Sequence, residues 1–387
     1  MLQEIRAVLH GRVLAHVPLI AVVFFVPVFY TLLFGAVYVQ NSVTHIPLVI
    51  LDEDQTNMSR TLVRLYSDSQ KFTIVKQKQT SEEMEAVLHE GRAVAALAIP
   101  RDFQKDIRMG NQPSVGFMVR SANNVFGNVA MLESWEINRN FSVAVGKKLI
   151  EGLNMLPDAA LAGVYPVQID VRVLGNPTGG FPDFILTGLS ANGTQIALMI
   201  TLTPLLHLLM KRRRWEAGHG PRVFLSFVIA FLIMGLGALL LSLFLAEYVY
   251  AVPMRGSWLA LTALAASFLV FVIGVLCLFS VLSPDPVMAA QLPLFYIMPS
   301  ILYSGITWPQ QSMSAGAAFY ADLMPMRYFA GPLRSLMLYG ETPALGSTCG
   351  QMLFYGIICL LIAGALFIWR WRRYWRQQPA MEAGRAS

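Results

Sequence analysis

Residues 17–39 read VPLIAVVFFVPVFYTLLFGAVYV, 23 positions without a charged side chain. A helix of about 20 apolar residues crosses the hydrocarbon core of a bilayer. No water in that core can satisfy a peptide group, so such a run must close its hydrogen bonds within itself. Later apolar runs predict further helices at about 184–210, 222–247, 257–282, 286–306 and 350–371, which with the first make six spans. Composition agrees: 55% of the 387 residues are hydrophobic and 13% charged, where a soluble domain carries roughly 25% charged residues. Mean hydropathy is +0.54. The expected fold class is an α-helical integral membrane protein with six transmembrane helices. Arg6 and Arg12 precede the first run, which is longer than a signal-peptide core and lacks a small-residue cleavage site, so 17–39 reads as a retained first span. Residues 1–16 read as a cytoplasmic interfacial helix with Leu2, Ile5, Leu9 and Val13 on one face.

Between the first and second spans the composition changes. Residues 40–183 hold 14 Lys/Arg and 16 Asp/Glu, near neutrality, and the apolar runs shorten to strand length. IPLVILDED reads as a buried strand ending in acids, SRTLVRLYSDS as a helix and KFTIVKQK as a strand. TSEEMEAVLHEG is a helix with both ends marked, by a capping Thr/Ser with Glu and by Gly91. AVAALAIP and SVGFMVRSAN follow as strands, 124–153 as a long helix and VQIDVRVLG as a last strand. Alternating strands and helices predict an α/β extracytoplasmic domain inserted between helices 1 and 2. GNPTGG at 175–180 reads as a flexible junction; it lacks the Lys-Ser/Thr of a phosphate loop.

Charge sets the expected orientation. Outside the inserted segment there are 15 Lys/Arg, and 12 of them fall on one side of a six-span chain: Arg6, Arg12, Lys211 to Arg214, Arg222, Arg370, Arg372, Arg373, Arg376 and Arg385. The other side keeps Arg255, Arg327 and Arg334. Cytoplasmic loops carry the excess of Lys/Arg, so both termini, including a tail at 372–387, are expected in the cytoplasm. The Lys211–Arg214 cluster suits anionic headgroups. Nucleic acid is not expected, since that would need a basic face with reader side chains on a soluble module.

No enzyme signature emerges. Asp52, Glu53 and Asp54 cluster at a strand end without a second cluster at metal spacing, and read as a solvated turn. Ser190, His207 and His219 form no nucleophile–base motif. Cys277, Cys349 and Cys359 show no CxxC or Cys/His spacing, and no cofactor is expected. Polar positions inside the spans are few: Asn192, Thr194 and Gln195 in the second, His207 near its inner end, Glu247 at the end of the third and Gln291 in the fifth. They do not make a chain of acids for proton relay, which disfavours a secondary transporter. The stretch 286–349 departs from a plain hairpin, with Pro286, Pro293, Pro299, Pro309, Pro325 and Pro332. Two short re-entrant helices at about 308–349, dipping into the outer leaflet and broken at Pro325 and Pro332, fit it better than a span, with Trp308, Tyr320 and Tyr328 at headgroup level.

This order resembles the ABC-2 type transporter permeases, and within them the bacterial drug- and lipid-exporter branch with a large outer domain. IPLVILDEDQTNMSRTL, AVAALAIPRDF and VRSANN resemble the opening of that domain, and GNP at 175–177 precedes the second span as in the family. LYSGITWPQQSM, with Ser304, Gly305, Trp308 and Pro309, resembles the SGxxxPxxxMP signature; LMPMRYF, with Pro325, resembles the xPxxy element. The resemblance implies a permease subunit in the inner membrane that moves a hydrophobic or amphipathic substrate outwards. It implies a separate ATPase subunit, a second permease chain (identical or a similar paralogue) and, in a Gram-negative setting, a periplasmic adaptor. In the family a Glu-Arg-Glu-x-Gly-Thr helix after the second span docks on the ATPase. Here that loop, at 211–222, offers Arg212, Arg213, Arg214, Trp215, Glu216 and Gly218, lacks the Thr and is short. It is either a reduced coupling element or an anchor alone. A reading from another class is a non-transporting membrane scaffold or receptor whose outer domain binds a partner.

Overall fold

The computed structural model describes residues 17–39, 43–78, 80–120, 124–151, 180–210, 220–342 and 344–383. The expected interfacial helix 1–16, the strand 167–175, the junction 175–179 and residues 211–219 lie outside the described residues. In chain order the elements are α1 (Val17–Val37), β1 (Ile46–Asp52), α2 (Asn57–Asp68), β2 (Phe72–Lys78), α3 (Ser81–His89), β3 (Ala95–Ile99), α4 (Phe103–Arg108), β4 (Gly116–Val119) and α5 (Asn124–Glu151). Then come α6 (Phe181–Met210), α7 (Gly220–Tyr250), α8 (Trp258–Leu282), α9 (Pro286–Gln291), α10 (Leu294–Ile297), α11 (Ser300–Tyr303), α12 (Ala315–Asp322), α13 (Pro325–Tyr339) and α14 (Leu345–Ala383). Two compact units result, one of residues 42–172 and one of 1–41 with 173–387.

In the smaller unit a four-stranded sheet has the order β2-β1-β3-β4, with β1 parallel to both β2 and β3 and β4 antiparallel to β3. Side chains alternate between the faces of a strand. Ile46, Leu48 and Ile50 accordingly join Leu62 and Tyr66 of α2 and Ile137 and Phe141 of α5 in one core. Val49 and Leu51 point the other way, to Met84 and Val87 of α3. A strand covered on both faces reads as a continuous apolar run, which is why IPLVIL shows no polar alternation. Helix α2 starts at a capping box, Thr56 accepting from the Ser59 amide at 3.4 Å. Helix α3 starts at Thr80, which accepts from the Glu83 amide at 3.3 Å, with Glu82 and Glu83 in the first turn where the helix dipole favours acids. Burial pushes Tyr66 above the ordinary tyrosine pKa. Its hydroxyl lies 2.6 Å from Ser134 Oγ and accepts from Asn138 Nδ2 at 2.8 Å.

In the larger unit five helical stretches of the described residues are long and apolar enough to cross a membrane: Pro182–Met210, Gly220–Tyr250, Trp258–Leu282, Pro286–Tyr303 and Leu345–Arg373. Ala21–Val37 of α1 is a shorter apolar helix. Three sequence expectations need correction. The expected helix 286–306 is three short helices, because Pro293 and Pro299 lack the amide protons that a continuous helix needs at those points. Pro332 does not break a helix. It sits inside α13, which survives the missing bond because Phe329, Ala330, Leu333, Leu336 and Met337 are buried on either side of it. The last helix does not stop at 371 but runs on to Ala383. Arg372, Arg373, Arg376, Gln377 and Gln378 are strong helix formers, so the end of the apolar run does not end the backbone helix; its passage through Pro379 is not explained by propensity.

Helix α6 is the hub of this unit, touching α1, α7, α8, α9 and α13. Its polar residues point inward: Ser190, Asn192, Thr194, Gln195, Thr203 and His207 are all buried. Ser190 Oγ lies 2.8 Å from Thr31 Oγ1 of α1. The Ser280 hydroxyl of α8 donates to Thr203 O at 2.7 Å, and His207 Nδ1 lies 3.4 Å from Ser280 O. Contacts also sort the helix ends. Gly220, opening α7, lies against the Trp371 ring of α14, and Arg370 Nη1 donates to Ser283 O beside the end of α8 at 3.2 Å. At the far end of α7, Tyr250 donates to Leu32 O of α1 at 2.6 Å, and the Arg255 amide donates to Met337 O of α13 at 2.9 Å.

Helices α8 and α14 form the most extensive helix pair, and glycines set their spacing. A Cβ on Gly356 would lie 2.7 Å from the Phe271 amide nitrogen, and one on Gly274 2.7 Å from Gly356 O. Both obstacles are backbone and cannot rotate away. Gly356→Val is therefore expected to destabilise the unit by about 1–3 kcal/mol, the usual size of overpacking. Gly350→Ala on the same helix meets nothing within 4 Å and should be neutral or stabilising by up to about 1 kcal/mol. Thermal unfolding in detergent separates the two.

Candidate functional site

The residues singled out in LYSGITWPQQSM sit between α11 and the 3₁₀ turn Gln310–Ser312. Ser304 is buried; its hydroxyl donates to Ile301 O at 2.6 Å and accepts from the Ile306 amide at 3.1 Å. Gly305 follows at φ +88°, and a Cβ there would lie 2.8 Å from Gln310 Cγ. Only glycine holds this left-handed conformation without strain. Pro309 leads into the 3₁₀ turn, and Trp308 is exposed with its indole N–H on Ser312 O at 3.2 Å. Pro325 takes the first position of α13, where a missing amide proton costs nothing.

One side chain locks this turn to α13. The Gln310 amide donates to Ser304 O at 3.0 Å and to Arg327 O at 3.2 Å. Tyr320 donates to Phe295 O at 3.2 Å, Tyr328 to Asp322 O at 2.8 Å, and Tyr296 to Leu323 O. These bonds carry the chain through proline-rich backbone that has lost amide donors. Asn192 and Gln195 of α6 bind the same region: Ser300 Oγ lies 3.1 Å from Asn192 Oδ1 and 3.2 Å from Gln195 Oε1. It also lies 2.6 Å from Ile297 O, and its single proton serves one of the three at a time.

Ser304, Gly305 and Pro309 line one cavity of about 600 Å³ together with Gln310, Arg327 and Arg334. Trp308 and Pro325 are not part of its wall. A second, mainly apolar cavity of about 720 Å³ is walled by Phe271, Phe279, Tyr296, Tyr355 and Ile358, and Tyr328 lines both. The other sequence candidate, Arg212, Arg213, Arg214, Trp215, Glu216 and Gly218, lies outside the described residues. Gln310, Arg327 and Arg334 were not picked out as site residues. The available signal was charge: Arg327 and Arg334 are two of the three cations left on the side that the charge bias disfavours.

The acidic turn does structural work. Asp52 Oδ1 accepts from the amides of Asp54 and Gln55 at 3.1 and 3.0 Å, Oδ2 accepts from Ser59 Oγ at 2.8 Å, and Asp54 Oδ2 accepts from the Gln104 amide at 3.2 Å. Among the described residues no group of three or more His, Cys, Asp or Glu could hold a metal ion.

The family profile described as "ABC-2 family transporter protein" matches residues 17–369, from the first apolar helix to the last. The chain belongs to the ABC-2 transporter family. "Probable multidrug ABC transporter permease YbhS" of Escherichia coli (strain K12) is 25% identical over 304 residues, which cover 74% of this chain and 74% of that protein. The protein of the same name from Escherichia coli O157:H7 matches equally. This ABC-2 chain is thus a multi-pass membrane protein and a transporter permease, and the geometry above belongs to a permease fold.

Gln310→Ala should lower the unfolding temperature of this ABC-2 permease in detergent, at a cost of about 1–3 kcal/mol for the two hydrogen bonds lost. Gln310→Glu should cost at least as much, because a carboxylate cannot donate to a carbonyl. Unchanged unfolding in both variants would mean that the amide does not hold the turn to α13.

Proposed function

We propose that this permease forms the membrane part of an exporter that moves a hydrophobic or amphipathic substrate outwards, driven by ATP hydrolysed on a separate subunit. In this reading α1, α6, α7, α8, the α9–α11 segment and α14 are six spans of the inner membrane. Both termini are cytoplasmic and the unit of residues 42–172 is extracytoplasmic. The segment 308–349, with Ser304, Gly305, Trp308, Pro309 and Pro325 at its start and turns, is the outer re-entrant element. A second permease chain completes the path, and a periplasmic adaptor suits the outer unit.

The observation that carries this reading is the sorting of charge. Arg222 and Arg370 lie near the end where Gly220 meets Trp371, whereas Arg255 and the end of α13 lie together elsewhere. This supports one cation-rich cytoplasmic end, which holds the 211–222 loop between α6 and α7. An ATPase has access to that end, and Arg212, Arg213, Arg214, Trp215, Glu216 and Gly218 are the residues assigned to the contact.

The test purifies the chain with its ATPase in lipid and compares two variants, Arg212→Glu with Arg213→Glu and Arg214→Glu, and Glu216→Lys alone. A rim ion pair contributes about 0.2–1 kcal/mol, so Glu216→Lys should be mild. The triple reversal should abolish co-purification and substrate-stimulated hydrolysis. Insertion should persist, because Arg370 to Arg376 maintain the cytoplasmic bias. Normal co-purification and stimulation in an inserted triple variant would remove this loop from the coupling contact.

A further inference from the structure

Arg327 and Arg334 are two turns apart on α13, so they share a helix face, and both line the 600 Å³ cavity. They are not equivalent. Arg327 has a counter-ion, its Nε 2.7 Å from Asp322 Oδ1. Arg334 has no carboxylate within ion-pair distance among the described residues, and its guanidinium rests 5.0 Å over the Phe184 ring. In each arginine Nη1 is buried without a hydrogen-bond partner among the described residues.

A buried guanidinium N–H without a partner is costly, and proteins keep such groups paired. Among the described residues the cavity wall contains no acid that could serve. It offers further donors instead, the hydroxyl of Thr348 and the side-chain amide of Gln311. Helix α13 opens toward this space: Gly331 has room for a side chain, with nothing within 4 Å of a Cβ. Guanidinium N–H groups are the protein's best match to phosphate and carboxylate oxygens. Beyond Tyr328 lies the apolar cavity of about 720 Å³.

We propose that this cavity binds an oxyanion, the phosphate, sulfate or carboxylate headgroup of an amphiphile, with Arg334 as its principal ligand and Arg327 as its second. The apolar cavity across Tyr328 takes part of the attached chain. The place of this site on an export path rests on the function proposed above; the binding itself does not.

Native mass spectrometry of the purified full chain, exchanged from detergent with equal phosphatidylglycerol and diacylglycerol of the same acyl chains, which lacks an oxyanion, tests the binding without transport or ATPase. The wild type should retain the anionic lipid with roughly tenfold preference, the ratio that about 1.4 kcal/mol gives. Arg334→Gln should reduce the preference to within about twofold, and Arg334→Lys should keep part of it. Gly331→Asp retains both arginines and supplies an internal carboxylate, so it should also abolish the preference. Unfolding temperatures near that of the wild type identify variants that remain folded. Inorganic phosphate is the third arm. Displacement of the lipid by phosphate alone would assign the site to a free anion, and failure to displace it would assign it to a headgroup with its chain; both support oxyanion recognition. Equal preference in the wild type, Arg334→Gln and Gly331→Asp would overturn the proposal. Failure of ATP-driven export with this binding intact would instead count against the function proposed above.

Discussion

Helix α6 carries Asn192, Gln195, Thr203 and His207 on a segment that must cross lipid, and every one of them is buried. Lipid gives these groups no hydrogen-bond partner. Protein must therefore enclose this helix, and the neighbouring elements supply what it needs. Thr31 of α1 meets Ser190, Ser280 of α8 donates to Thr203 O, and Ser300 of α11 reaches Asn192 and Gln195. Helices α7 and α14 are more apolar and have less of this demand. Phe354, Leu361 and Ile362 of α14 and Leu241 and Phe244 of α7 remain exposed, as side chains in contact with lipid can be. The polar helix at the centre thus fixes the order of packing around it.

The same constraint explains the segment between α9 and α13. Prolines there remove amide donors, and side chains make up the connections. Ser304, Gln310, Tyr296, Tyr320 and Tyr328 all bind backbone carbonyls within the segment or on its neighbours. Gln310 reaches Arg327 O, Tyr296 reaches Leu323 O and Tyr320 reaches Phe295 O, so the segment keeps its shape without a continuous helix. It also leaves a polar cavity and an apolar one side by side at Tyr328, an arrangement suited to a molecule with a head and a tail.

Much of this was legible from residue order. The apolar runs identified α6, α7, α8 and most of α14 because hydropathy and length act locally. The strands IPLVILD and AALAI followed from apolar runs of strand length, and helix α3 between Thr80 and Gly91 from capping chemistry. What failed was non-local. Pro332 sits within α13 because tertiary burial on both sides outweighs one lost bond. The helix past 371 continues because backbone propensity does not change where hydropathy does. The cavity could not be read, since Gln310 and Arg334 come to line one wall only once the chain is folded. Its one trace in the sequence was a pair of cations on the side where few remain.

The proposed export mechanism requires a cation-rich loop that faces a cytoplasmic ATPase and an α/β unit that faces the other side of the membrane. Inserted single cysteines report that arrangement directly in intact cells, using a membrane-impermeant thiol reagent on a chain whose own Cys277, Cys349 and Cys359 are replaced. Positions in 60–150 should label from outside, and positions in 211–222 should label only after the membrane is opened. Labelling of the 211–222 loop in intact cells would contradict the six-span arrangement and the export mechanism built on it.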